Sequence, residues 1–133
     1  MKYISTPLIL ATSLLLSTET LAAKSLASCD VKLDDVIEYS QCLDLVKESV
    51  DKELQTWVNN QVFILEELVL KTGRKSSLDM FKRSQRNFVT FRENNCRWQY
   101  LALSPNKKAA PTYKKCYILT SQTRIKELEK LGN

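Results

Sequence analysis

The sequence predicts an all-α domain of three main antiparallel helices, opened by a disulfide-stapled N-terminal turn. Three observations carry this. Apolar residues recur at helical spacing over three long segments, and no stretch shows the strict alternation of a half-buried strand. Only two glycines and three prolines occur among 133 residues, and those beyond residue 23 fall between the segments or near the chain end. Four cysteines in so small a chain, behind an export signal, read as two disulfides.

Residues 1–23 read as a secretory signal peptide. Lys2 supplies the charged start, "PLILATSLLL" (Pro7 to Leu16) the apolar run, and small residues precede the expected cleavage after Ala23. The run is too short to span a bilayer, so no transmembrane segment is expected in the mature chain. Residues 24–133 then form one domain, large enough for one core and expected to be periplasmic or secreted. "LASC" (Leu26 to Cys29) imitates a lipoprotein processing box. However, Glu19 and Lys24 separate it from the apolar run, and a disulfide role for Cys29 keeps the cysteine count even.

Spacing suggests the pairing. Cys96 and Cys116 flank "SPNKKAAP" (Ser104 to Pro111), a helix breaker, so a helical hairpin would bring them together. Cys29 and Cys42 remain for the other bridge. A continuous helix would hold those two about 20 Å apart, beyond bridging distance. A turn near Asp34–Ser40 is therefore expected. Zinc is the rival use of four cysteines, but the chain has no CxxC and no histidine. No metal and no cofactor are expected.

The first long helix carries Leu43, Val46, Val50, Leu54, Trp57, Val58, Ile64, Leu65 and Leu68 on one broad face. "KTGRKSS" ends it, with Gly73 as C-cap and Ser76 or Ser77 as the next N-cap, supported by Asp79. The second helix runs to about Leu103, with a stripe of Leu78, Phe81, Phe88, Val89 and Leu103. After a Pro105–Pro111 loop, the third covers roughly Thr112 to Leu131. Its inward face is expected to hold Tyr113, Cys116, Tyr117, Thr120, Arg124 and Leu131.

Polar residues interrupt these stripes. Gln85 and Arg92 fall near the centre of the second helix's stripe, with Cys96 beside them, and Arg124 falls near the middle of the third. A buried guanidinium needs a carboxylate or several carbonyls, because an unpaired buried charge costs several kcal/mol. Asp51 and Glu53 flank the stripe of the first helix and are the candidates. On the structural reading, Gln85, Arg92, Thr120, Arg124 and Asp51 form a polar network that fixes helix register. The functional reading makes it a polar binding site between helices.

"QRNFVTFRENNC" (Gln85 to Cys96) resembles the Q-x-x-W-x-x-[FY]-R-x-x-x-C signature of small exported bacterial proteins named after the lysozyme inhibitor LprI. "YKKCYILTSQTRIKEL" (Tyr113 to Leu128) resembles the same family's Y-x-x-C-x-x-x-T-x-x-R-x-x-x-L. Cys29 and Cys42 match its early cysteine pair in rough spacing, so the resemblance spans nearly the whole mature chain. Gln85, Phe91, Arg92, Cys96, Cys116, Thr120, Arg124 and Leu128 all match the motifs. Phe88 stands where tryptophan is usual, and the first-helix motif appears as "LQTWV" (Leu54 to Val58) with its aromatic shifted to Trp57. "SPNKKAAP" replaces a glycine-rich loop. The resemblance implies a helical, disulfide-stapled envelope protein that inhibits lysozyme.

Enzymatic function is not expected. Without histidine, acid–base work would fall to carboxylates, and the pairs Asp34–Asp35 and Glu66–Glu67 are sequence neighbours whose side chains diverge on a helix. No serine nucleophile has a visible base. Removing Lys2 and Glu19 with the leader leaves 19 basic and 14 acidic residues, interspersed rather than blocked. "CRWQY" mixes charge with aromatics, and Trp98 falls opposite Gln85 on the helix. Export to an oxidising compartment nevertheless argues against nucleic acid as a partner.

A binding protein remains, directed at a lysozyme-like protein or a toxin. Lysozyme-like muramidases hold a carboxylate pair in a cleft, which a cation on a rigid loop could plug. Lys107 and Lys108 lie on the loop closed by the expected Cys96–Cys116 bridge, and Arg97 with Trp98 offers a second contact edge. Animal lysozymes are themselves basic, so a net charge of +5 provides no long-range steering toward them. The other classes are an envelope structural or interaction protein without an enzyme target, and an immunity protein against a secreted toxin.

Overall fold

The structure is a computed structural model that describes residues 25–132. The signal-peptide reading of residues 1–23 lies outside the described residues. Four helices follow in order: α1 (Leu26–Cys29), α2 (Val36–Thr72), α3 (Ser76–Leu103) and α4 (Ala109–Leu131), with a 3-10 turn at Asp30–Lys32. There is no strand among the described residues.

The N-terminal turn folds α1 back onto α2. Ser25 caps α1 by accepting from the Ser28 amide, and the Asp35 carboxylate caps α2 by accepting from the amides of Ile37 and Glu38. Between the caps, the chain turns over residues 30–35, which overlaps the expected Asp34–Ser40 at Asp34 and Asp35 and begins four residues earlier. Tyr39 and Ser40 are already helical. The turn lets Cys29 and Cys42 pair with Cα atoms 5.6 Å apart. The second bridge joins Cys96 of α3 to Cys116 of α4, 5.5 Å apart.

α2 is 37 residues long, about 55 Å at 1.5 Å per residue. Gly73 ends it at φ 69°, a left-handed conformation that costs glycine nothing, and its amide reaches Val69 O at 2.8 Å. The expected serine cap on α3 is absent. Lys75 holds the cap position without a side-chain hydrogen bond, while Ser76 and Ser77 lie inside the first turn. Helix α4 starts at Ala109 rather than Thr112. Pro111 fits its first turn because an amide there has no partner within the helix.

Consecutive long helices are antiparallel, so α2 and α4 point the same way. Lys114, near the start of α4, bonds Ser40 and Asp44 near the start of α2. At the other end Gly132 meets Trp57 and Asn60. The core is built mostly by these two helices: Leu43, Val46, Val50 and Leu54 from α2, and Ile118, Ile125 and Leu128 from α4. The inward face of α4 is therefore rotated from the expected stripe. Ser121 is fully buried on it, and Leu131 is exposed.

α3 contributes little aliphatic surface. Its only buried residues are Arg92 and Cys96; Phe81 and Phe88 are half-buried against the core, and Val89 and Leu103 are exposed. Beyond Asn60, α2 continues for twelve more residues with only α3 beside it, linked by Glu66 and Lys82 at 3.6 Å. Ile64 and Leu68, expected on the buried face, are exposed on this arm, as are Phe63, Leu70 and Met80. The reason is that α4 ends before it can cover them.

Candidate functional site

The seam between α3 and α4 is held by cations on aromatic rings rather than by aliphatic packing. The Arg92 guanidinium lies 3.7 Å from the Tyr117 ring centre and 5.6 Å from that of Phe88. Arg124 lies 5.7 Å from Phe88 and 6.0 Å from Phe81. A desolvated cation–π contact contributes about 2 kcal/mol. The rings recur at helical spacing on α3, so a single face of that helix presents both.

Hydrogen bonds fix the cations. Arg92 Nη1 donates to the buried Ser121 Oγ at 2.9 Å and lies 3.7 Å from Asp51 Oδ1. Asp51 also accepts from the Tyr117 hydroxyl at 2.8 Å and pairs with Lys47 at 3.2 Å. Lys47 in turn lies 4.2 Å from the Tyr117 ring centre. Burial, reinforced by the hydrogen bond to Asp51, pushes the Tyr117 phenol well above its ordinary pKa. Tyr113 donates to Glu93 at 2.7 Å, and burial with that bond pushes its phenol up to about 12.

Gln85 accepts from Arg124 Nε at 3.3 Å, and Arg124 Nη1 pairs with Glu127 at 3.0 Å. The residues named from sequence thus fall into two groups along one seam, Arg92 with Asp51 and Arg124 with Gln85. Glu53 is exposed and joins neither. Thr120 is half-buried beside Phe88, Phe91 and Arg124. Its neighbour Ser121 makes the bond to Arg92. Ser121 escaped the sequence reading, although it is the one polar residue on the true apolar stripe of Tyr117, Ile118, Ile125 and Leu128.

Lys107 and Lys108 are exposed on the short connection between α3 and α4. The Asn106 amide bonds Leu103 O, and Asn106 accepts from the Lys108 and Ala109 amides, at 2.8–2.9 Å. The connection is therefore a compact, internally bonded turn. Lys107 borders a groove with Asp34, Asp35 and Asp44, while Lys108 faces the other side toward Leu33 and Tyr39. Arg97 and Trp98 are exposed on α3 and line neither of the grooves that the two lysines border. They do not join the two lysines.

The profile of one family, lysozyme inhibitor LprI, matches residues 29–128. The chain belongs to the LprI family. No curated protein and no solved structure matches it. The LprI match begins at the first disulfide cysteine and ends at Leu128, so it encloses both bridges and the whole cation–aromatic seam. Cys29 of this LprI protein is fully buried in its bridge to Cys42. No described helix is long and apolar enough to cross a membrane, and no described cluster of acidic or cysteine side chains could hold a metal ion.

Proposed function

We propose that this LprI protein is an exported, non-enzymatic binding protein that inhibits a lysozyme-like muramidase. The family match over residues 29–128 carries the reading. The route to inhibition is a cation-in-cleft plug, with Lys107 and Lys108 entering the acidic cleft of the target. Supporting it, both side chains are exposed on a short turn whose backbone groups bond one another, so little chain entropy is lost on docking. The Cys96–Cys116 bridge holds the two helices beneath that turn. Gln85, Arg92, Thr120, Arg124 and Asp51 then serve the scaffold, keeping α3 and α4 in register.

Residual lytic activity on peptidoglycan, measured across a titration of the oxidised mature domain, tests this. Lys107→Glu with Lys108→Glu should abolish inhibition, while the exposed position keeps the stability change within about 0.5 kcal/mol. Full inhibition by the double variant would move the contact surface to the Arg97–Trp98 edge. Failure of the wild type against every muramidase tested would favour an envelope-interaction protein, or an immunity protein if a secreted toxin co-purifies instead.

A further inference from the structure

The exposed face of α3 carries an open groove that adjoins the seam through Phe91 and Asn95 and extends away from it toward Trp98. It is a shallow, solvent-open groove of about 530 Å³ lined by Asn87, Thr90, Phe91, Asn94, Asn95 and Trp98. These positions recur every three or four residues and so share one side of the helix. Phe91 and Trp98 are 58% and 60% exposed, an unusual state for two large aromatics seven residues apart. The other four lining residues are amides and a hydroxyl. In a protein with 35 charged side chains, this groove has none.

We propose that this groove binds an uncharged, extended β-1,4-linked oligosaccharide. The chemistry of the lining selects that class. A pyranose presents C–H faces, which stack on aromatic rings, and a rim of hydroxyls, which need neutral partners that both donate and accept. Asparagine supplies both from one side chain. Residues seven apart on a helix are separated by about 10.5 Å along its axis. That matches the two-sugar repeat of an extended β-1,4 chain, in which alternate sugars turn the same face toward one side. Phe91 and Trp98 would therefore stack on the first and third sugars.

The site is partly preorganised. Trp98 Nε1 donates to Asn95 Oδ1 at 3.4 Å, and Asn95 Nδ2 lies 3.8 Å from the bridged Cys116 sulfur. The indole is thereby tied to the second disulfide, which reduces the ordering cost of binding. A nucleic acid or other polyanion finds no cation within the groove. A second copy of the chain would bring asparagine rows against one another around only two apolar side chains. The fit is to a neutral polyhydroxyl chain, and the proposal stands independently of muramidase inhibition.

Titration of the oxidised protein with chitotetraose and cellotetraose, with no muramidase present, tests it through tryptophan fluorescence. The only other tryptophan, Trp57, is half-buried against the end of α4 and lies outside the groove. Saturable binding with a blue shift in emission is expected, insensitive to salt because no charges meet. Followed by calorimetry, Trp98→Ala should abolish binding and Phe91→Ala should weaken it about tenfold. Both variants should melt like the wild type, since both side chains are exposed. The proposal is overturned if the wild type binds neither sugar up to about 10 mM. It is equally overturned if both variants bind as tightly as the wild type. Self-association of the wild type that Trp98→Ala removes would assign the face to a second copy instead.

Discussion

Replacing Arg92 by alanine should destabilise the domain by about 3 kcal/mol, and the structure supplies the magnitude. The side chain is 6% exposed. Its charge-assisted bond to Ser121 contributes about 1.5 kcal/mol or more, and its contact with the Tyr117 ring about 1–2 kcal/mol. Lost packing of the three stem methylenes adds to this. Two features pull the other way. Arg92 Nε is buried without a partner, so its removal relieves some desolvation. Asp51 also keeps Lys47 and Tyr117, so no carboxylate is orphaned. The net sits at the low end of the ~3–5 kcal/mol typical for breaking a buried pair. Urea unfolding followed by far-UV circular dichroism measures it. A midpoint shift of roughly 1.5 M is expected for a slope near 2 kcal/mol per molar. Arg92→Met keeps the volume without the charge, and should cost about 1 kcal/mol or less. If the alanine variant unfolds within about 0.5 kcal/mol of wild type, the guanidinium does not hold the seam. Loss of target binding on top of that would make Arg92 a contact residue.

The second bridge closes a separation of 20 residues and the first one of 13. Replacing either pair by serines should lower stability by about 3 kcal/mol, read from the same unfolding curves; unchanged midpoints would contradict the assigned stabilisation. The fold favours the neutral phenols of Tyr113 and Tyr117, whose pKa values are raised. Their contribution is complete below about pH 10, the unfolded value, and declines as pH rises toward about 12 for Tyr113 and onward for Tyr117. Midpoints should therefore fall between about pH 10 and 12, less steeply in Tyr117→Phe. Parallel declines in the two proteins would remove Tyr117 from the account. Gly73→Ala meets no atom within 4 Å, so its cost of about 1 kcal/mol comes from the left-handed backbone alone. It should appear as faster amide exchange in residues 61–80, and equal exchange would show that the turn tolerates a side chain.

Helical spacing and cysteine arithmetic made the helices and both bridges legible, because each rests on local geometry. The misjudged boundaries have a common cause. Serine is a good cap in isolation, yet at Ser76 and Ser77 the helix begins one residue earlier, where the turn after Gly73 has already set the direction. Pro111 read as a breaker, although a proline in the first turn removes only an amide that lacks a helical partner. The buried faces were harder. A periodic stripe gives an angle but not the place where the neighbouring helix stops, so Ile64 and Leu68 looked internal. For the candidate site, sequence placed Gln85, Arg92, Arg124 and Asp51 along one seam. It selected Thr120 where Ser121 bonds Arg92, because neighbours 100° apart straddle a stripe edge. The groove around Phe91 and Trp98 was visible only as an exposed tryptophan.

The two-helix arm past Asn60 gives the domain two tiers of opening. Residues 61–80 can separate and re-form while α4, both disulfides and the aliphatic core stay closed, since the first α3 ring that packs on the core and meets Arg124 of α4 is Phe81. The bend at Gly73–Lys75 is thus the part of the chain least coupled to the rest. A protease should nick it first and leave the two halves held together by the packed core. The same bend is also the natural insertion point for a small reporter domain. A tag there would ride on the arm's tip, away from the lysine turn and from the aromatic groove, and could report binding at either without obstructing it.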